Sequence, residues 1–342
     1  MATLSVQNPT LLDLARVTDP DGSIAAVVEI LNETNEVLAD MSWVEGNLPT
    51  GHRTTVRTGI PAPTWRKLYG GVQPNKSSTV QVTDNTGMLE QYAEVDKALA
   101  DLNGNTAAFR LSEDRPHIEG MNQEIVDTLF FGDEDTEPEA FTGLAPRFAN
   151  LTADANSDNV IDGGGTGSDN ASIWLVVWGP NTCHGIIPKG STAGLQVTDK
   201  GQVTLEDASD GSNSGRMEAY RTHYRWDAGL TVRDWRYVVR IANIDKSAII
   251  RVFTSGDFAT GAHLPDLMFQ AMRLVPNLSM GRPAFYMSRD IATWVARQSA
   301  AMGNANAVTM DTLSGDQKMT ERFHGIPMRR CDSLAADEAA LT

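Results

Sequence analysis

Residues 47–83 read NLPTGHRTTVRTGIPAPTWRKLYGGVQPNKSSTVQVT, and no other stretch says more about the fold. β-branched residues run through 54–60 and again through 78–82, while Pro61, Pro63, Gly70, Gly71 and Pro74 break the sequence between them. That pattern predicts two strands joined by a long irregular tip. A two-stranded ribbon is marginal in water unless something covers it. With arms of ~12 to 15 residues at about 3.3 Å per residue, it reaches roughly 40 to 50 Å, past the edge of its own domain. The cover then has to come from another subunit.

Charge sharpens that expectation. The segment carries Arg53, Arg57, Arg66, Lys67 and Lys76 and no acid, a net +5. Residues 84–162 carry 18 acids against Lys97, Arg110, Arg115 and Arg147, a net −14. A basic arm beside an acidic body suits head-to-tail contact between identical subunits. Two solvated faces are the alternative reading of the same charges.

The whole chain sets the outer bounds. With 342 residues, 41% of them hydrophobic, it can bury a real core and form two or three domains. A formal charge of −16 and a pI near 4.7 argue against a protein that grips nucleic acid, which takes clustered Lys and Arg. Residues 1–19 lack a basic n-region and an apolar stretch, so no secretory signal is expected. The longest apolar run, 173–178, is far short of the ~20 residues that span a bilayer. A soluble protein, intracellular when made and without membrane contact, is expected. Cys183 and Cys331 are too few for a disulfide framework and read as packing residues.

Elsewhere the pattern is mixed. Residues 3–40 are helix-compatible and read as an arm with one or two helices. Ile118, Met121, Ile125, Val126, Leu129 and Phe130 form the stripe of a helix over 118–130 facing a core, with Pro116 near its start and Gly132 at its end. Residues 173–178 read as a buried strand and 216–244 as β-rich. Helices are expected over 266–275 and 288–300, the second capped by Ser288, and 323–330 reads as a turn into a final strand. The class is α+β with no fixed repeat.

Three places in the chain carry residue types that could support chemistry. Asp154, Asn156, Asp158 and Asp162 have the alternating oxygen ligands of a calcium loop. Asn159, however, stands where that loop wants glycine, and Gly165 where it wants a bidentate carboxylate. Cys183-His184 invites a nucleophile-and-base reading that sequence adjacency does not establish. Gly163-Gly164-Gly165-Thr166-Gly167 has no Gly-Lys-Ser/Thr after it and is not a P-loop. The other histidines form no ligand spacing. Neither an enzyme nor a cofactor is expected. A β-rich calcium-dependent binding module and a thiol hydrolase remain as rival readings.

Three parts of the chain together resemble the major capsid proteins of tailed phages, the short-tailed ones above all, and their Hong Kong-97-type fold. The order of an N-terminal arm, the excursion around TWRKLYGGV at 64–72 and the helix at 118–130 is similar to that family's N-arm, extended loop and spine helix. WRYVVRIANI at 235–244 and the closing FHGIPMRR at 323–330 look like capsid segments too, the latter like the family's Gly-Ile-Pro strand of the axial domain. The resemblance departs in two respects. One is the lack of the long, highly charged helical region before the arm that serves some relatives as a fused scaffold, which implies a separate scaffolding protein. In the other, the best candidate for the long peripheral strand, 216–241, precedes the Gly-Ile-Pro strand instead of following it, which implies a rearranged, permuted connectivity.

The resemblance implies a major capsid protein that self-assembles into hexamers and pentamers of an icosahedral phage head around double-stranded DNA, bound without sequence specificity. It implies a virion protein assembled in the host cytoplasm, with a separate scaffolding protein, a portal and a cement or decoration protein as partners. It divides the chain into an N-terminal arm (1–46), an extended loop (47–88), a peripheral domain (89–150 and 216–255, with the spine helix near 117–131) and an axial domain with insertions (151–215 and 256–342). The inter-subunit contact residues are then Arg53, Arg57, Trp65, Arg66, Lys67, Leu68, Tyr69 and Lys76. A cellular protein-compartment shell of the same fold is an alternative that sequence physics does not separate from a viral one.

Overall fold

A computed structural model describes residues 35–102, 106–152, 155–207, 215–249, 261–301, 308–312, 319–335 and 337–342. The helices expected in the arm over 3–40 therefore lie mostly outside the described residues. What is described there is a short helix α1 (Val37–Asp40) followed by strand β1 (Trp43–Glu45).

The core is organised around strand β5 (Asn170–Trp178), which is buried along its whole length. It runs antiparallel between β9 (Val238–Asp245) and β10 (Arg282–Met287). Its alternate side chains enter two different cores. Ile173, Leu175 and Val177 pack with Met268 and Ala271 of helix α4 (Leu264–Leu274) and with Ile291 and Val295 of helix α5 (Arg289–Ala301). Trp174, Val176 and Trp178 pack with Ile125, Val126, Leu129 and Phe130 of helix α3 (Thr106–Phe131). A strand covered on both faces needs an unbroken apolar run, which is why 173–178 reads as a buried strand. Beyond β10 the sheet continues through β13 (Ile326–Arg330), β12 (Met319–Phe323) and β11 (Val308–Thr312). The expected closing turn is formed at His324 and Gly325, both at positive φ. Ser288 caps α5, its Oγ accepting from the Ile291 amide at 3.5 Å.

The other half of the sheet is built on two long strands, β3 (Ser78–Asp96) and β8 (Gly215–Val232). They pair antiparallel over 86–96 and 219–229. On its other side β8 meets β7 (Gln196–Asp207) and then, over 229–232, β6 (Cys183–Ile187). Gly229 thus faces Thr86 on one side and Ile186 on the other.

Helix α3 departs from expectation at its start. It has 26 residues, about 39 Å of helix, and Pro116 sits in its interior. Proline removes one backbone donor there, and tertiary contacts carry the helix through it. Phe109 packs with Val95, Leu99 and Ala100. Arg110 reaches Asp199 at 2.8 Å, and His117 stacks on Tyr224. Ile118, expected on the core stripe, is instead exposed; Met121, Ile125, Val126, Leu129 and Phe130 are buried as expected. Among the described residues no helix is long and apolar enough to cross a membrane.

Candidate assembly interface

The ribbon expected at 47–83 is present, and β3 is what roots it. Residues 78–85 of β3 pair with β2 (Gly51–Gly59), and from Thr86 onward the same strand pairs with β8. One uninterrupted strand therefore belongs first to the ribbon and then to the body. The paired arm of β2 has nine residues, about 30 Å, shorter than the arms expected. The ladder ends at Gly59 and Ser78, just past a bulge between Arg57 and Gly59, and 60–77 complete the excursion without strand pairing.

The root is held by polar contacts distant in sequence. The Arg147 guanidinium donates from Nη1 to Asp84 Oδ1 at 2.8 Å and from Nη2 to the Leu230 carbonyl at 3.4 Å. Asn85 Nδ2 donates to Glu134. Asn47 clamps β2 from outside, donating to the Arg53 carbonyl at 2.7 Å and accepting from the Arg53 amide at 2.8 Å. Sequence reasoning missed Asp84 and Arg147, because nothing local marks a pair 63 residues apart.

All eight expected contact residues lie on this excursion and are exposed. Arg53 and Arg57 are on β2, Arg53 donating to Thr83 Oγ1 at 3.2 Å. Trp65, Arg66, Lys67, Leu68, Tyr69 and Lys76 are in the tip. A turn closed by the Gly70 amide on the Lys67 carbonyl at 3.0 Å shapes it, with Tyr69 at φ +64°. The Asn75 side chain ties the tip's two sides together, donating to the Ala62 carbonyl at 2.7 Å. Trp65 and Tyr69 are fully exposed and Leu68 is 87% exposed. Three large apolar side chains so displayed on one tip form an exposed apolar group of a kind uncommon on a lone soluble surface.

The acidic half is partly neutralised within the chain. Glu94 pairs with Arg221 at 2.5 Å, and Glu90 meets His223 at 3.2 Å and Arg225 at 3.5 Å, all across the β3–β8 ladder. Glu124, Glu137 and Glu139 remain exposed on and beside α3.

The calcium and thiol readings gain no geometry. Asp154 lies outside the described residues. The Asn156 side chain donates to the Arg147 carbonyl at 3.2 Å, and Asp162 accepts from the Gly164 amide and the Asn243 side chain at 2.9 Å each. Asp158 is exposed. Among the described residues no group of three or more His, Cys, Asp or Glu could hold a metal ion. Cys183 and His184 are neighbours on β6, so their side chains leave opposite faces of the strand. Burial pushes the Cys183 thiol well above its ordinary range, the reverse of what an activated nucleophile needs. Burial also pushes His184 down to about 4, helped by the charges of His52 and Arg233.

With this geometry in hand, similarity to known proteins is informative. A chain of the bacteriophage Epsilon15 structure is 37% identical and aligns over 100% of both chains with a TM-score of 0.79. The bacteriophage JBD30 capsid is 9% identical over 88% of this chain and 91% of that chain, with a TM-score of 0.46. The SrpI encapsulin of Synechococcus elongatus PCC 7942 is 8% identical over 71% and 97%, with a TM-score of 0.44. No curated protein matches. The family model for major capsid protein GP7 matches residues 19–342. The expectation of an α+β phage shell protein is borne out, and the chain belongs to the GP7 family of major capsid proteins.

Proposed function

We propose that this capsid protein forms hexamers and pentamers of an icosahedral head around double-stranded DNA, with the ribbon of each copy laid on a neighbour. The observation that carries this reading is the tip itself. Trp65, Leu68 and Tyr69 stand exposed at the end of a ribbon whose own strand β3 is rooted in the body. Exposed ion pairs are worth only ~0 to 1 kcal/mol each. In this reading the basic residues Arg53, Arg57, Arg66, Lys67 and Lys76 set register, and the apolar tip gives most of the affinity as buried anchors.

The role is structural, with no catalysis. The division into arm (1–46), loop (47–88), peripheral domain (89–150 and 216–255) and axial domain (151–215 and 256–342) belongs to the same proposal. So do assembly in the host cytoplasm, a separate scaffolding protein, a portal and a cement or decoration protein. The net charge of −16 supports a wall that does not grip the packaged DNA.

Replacing Trp65, Leu68 and Tyr69 together by serine tests the ribbon. The variant is expected to stay folded by circular dichroism and to give no closed particles by sedimentation and electron microscopy. Normal particles from the folded variant would sink the proposal.

A further inference from the structure

Beside the ribbon root lies a cavity of about 320 Å³ between β3, α3 and the segment 137–141. Its apolar lining includes Leu89, Ile125, Phe141 and Trp226, and Met88 stands 67% exposed at its edge. The exposed carboxylates of Glu124, Glu137 and Glu139 line it as well. An apolar recess with an acidic margin suits a segment that carries aromatic and cationic side chains side by side. Residues 65–69, Trp-Arg-Lys-Leu-Tyr, are such a segment, and all five side chains are exposed.

The tip of the same copy is held away from this cavity. The cavity begins at Gly87 on β3, while the tip starts beyond residue 78, at the far end of the paired arm. Nine extended residues, 78–86, separate the two, about 30 Å. The complementary segment must therefore come from a second molecule.

We infer that the cavity formed by Met88, Phe141 and Trp226, with Glu124, Glu137 and Glu139 at its margin, receives the 65–69 tip of a second copy of this chain. The inference rests on the proposed laying of the ribbon over a neighbour and adds the address on that neighbour. Trp65 or Tyr69 fills the apolar recess, and Arg66 and Lys67 meet the three carboxylates. Partners of this kind add specificity and register more than affinity.

Photo-crosslinking tests the address. Met88 is replaced by p-benzoylphenylalanine, and shells are assembled from a mixture of ¹⁵N-labelled and unlabelled chains. After irradiation, linked peptides are identified by mass spectrometry. The expected product joins the probe to a peptide from 60–77 of a different copy. A link to residues 1–34 of another copy, to another protein, or no link in assembled shells overturns the assignment. The same probe at Trp65 separates this failure from that of the wider proposal. A link to another copy outside this cavity removes the address and keeps the ribbon contact, whereas no inter-copy link removes both. Charge exchange gives a second readout. Glu137→Lys with Glu139→Lys should cut particle yield, and adding Arg66→Glu with Lys67→Glu should restore it. Full yield from the first variant, or no recovery in the second, counts against the margin's role.

Discussion

Arg147 holds Asp84 through a 2.8 Å ion pair at the point where β3 leaves the ribbon and enters the body. Asp84 is 5% exposed, so that guanidinium stands where water would otherwise solvate it. Removing one partner of a buried pair costs about 3 to 5 kcal/mol, far more than the pair is worth against an apolar replacement of both. Arg147→Ala should lose about that much on urea unfolding of the unassembled chain, and Asp84→Asn in the same background should recover part of it. A loss below about 1 kcal/mol would place the pair with exposed bridges instead.

Gly229 marks the same crossing from the other side. A Cβ there would lie 2.7 Å from the Asn85 carbonyl oxygen and 2.9 Å from the Ile186 side chain. Gly229→Ala should destabilise the chain by about 1 to 3 kcal/mol through overpacking. Gly71, where a Cβ meets nothing within 4 Å, provides the control, and Gly71→Ala should leave unfolding unchanged. Equal effects of the two would disprove the close approach.

His184 should make stability depend on pH. Its folded value of about 4 lies below the ordinary 6.5, so the unfolded chain takes up the proton first as pH falls. The neutral-site stability is complete above about pH 6.5, declines between there and about pH 4, and then levels off at a total loss of about 3 kcal/mol. Urea unfolding of the wild type and of His184→Gln near neutral pH and again at about pH 4.5 isolates this residue. The difference between them should shrink on acidification, and a constant difference would refute the assignment.

Tyr286 joins the sheet to the segment before β1. Its hydroxyl accepts from Trp178 Nε1 at 2.7 Å and donates to Asp40 Oδ2 at 3.1 Å, and Asp40 also accepts from Arg329 at 2.8 Å. Tyr286→Phe leaves the buried Trp178 donor unpaired, at about 1 to 3 kcal/mol. Trp178→Phe and Tyr286→Phe together should cost less than the sum of the single changes, as for any coupled pair. Strict additivity in thermal unfolding would show that the hydrogen bond contributes nothing.

Local signals explain what the sequence revealed. The ribbon was legible because β-branched arms, a Pro/Gly-rich tip and one sign of charge coincide within 47–83. Strand β5 was legible because burial on both faces forces an unbroken apolar run. The far half of β3 was not, since Glu90, Glu94 and Asp96 make it read as an acidic body segment. Its strand character comes from Arg221, His223 and Arg225 on β8, which sequence order keeps more than a hundred residues away. Strand β7 was hidden for the same reason: it is largely polar, is bent by a bulge between Asp199 and Gly201, and exists through its pairing with β8. The start of α3 was obscured by Pro116, whose cost is met by the contacts of Phe109 and Arg110. At the candidate interface the exposed tip was readable from residue types, whereas the receiving cavity gathers residues from 87 to 228 that share no pattern.

The continuity of β3 also decides how a joint between copies would fail. A pull along the ribbon runs straight down one strand into eleven cross-strand pairs with β8. Those pairs are loaded in shear and must give way together. A sideways tug loads the ladder between β2 and β3 one rung at a time, and peels it. The same excursion is therefore stiff under tension and yielding under bending, so copies linked through it could tilt against one another without coming apart.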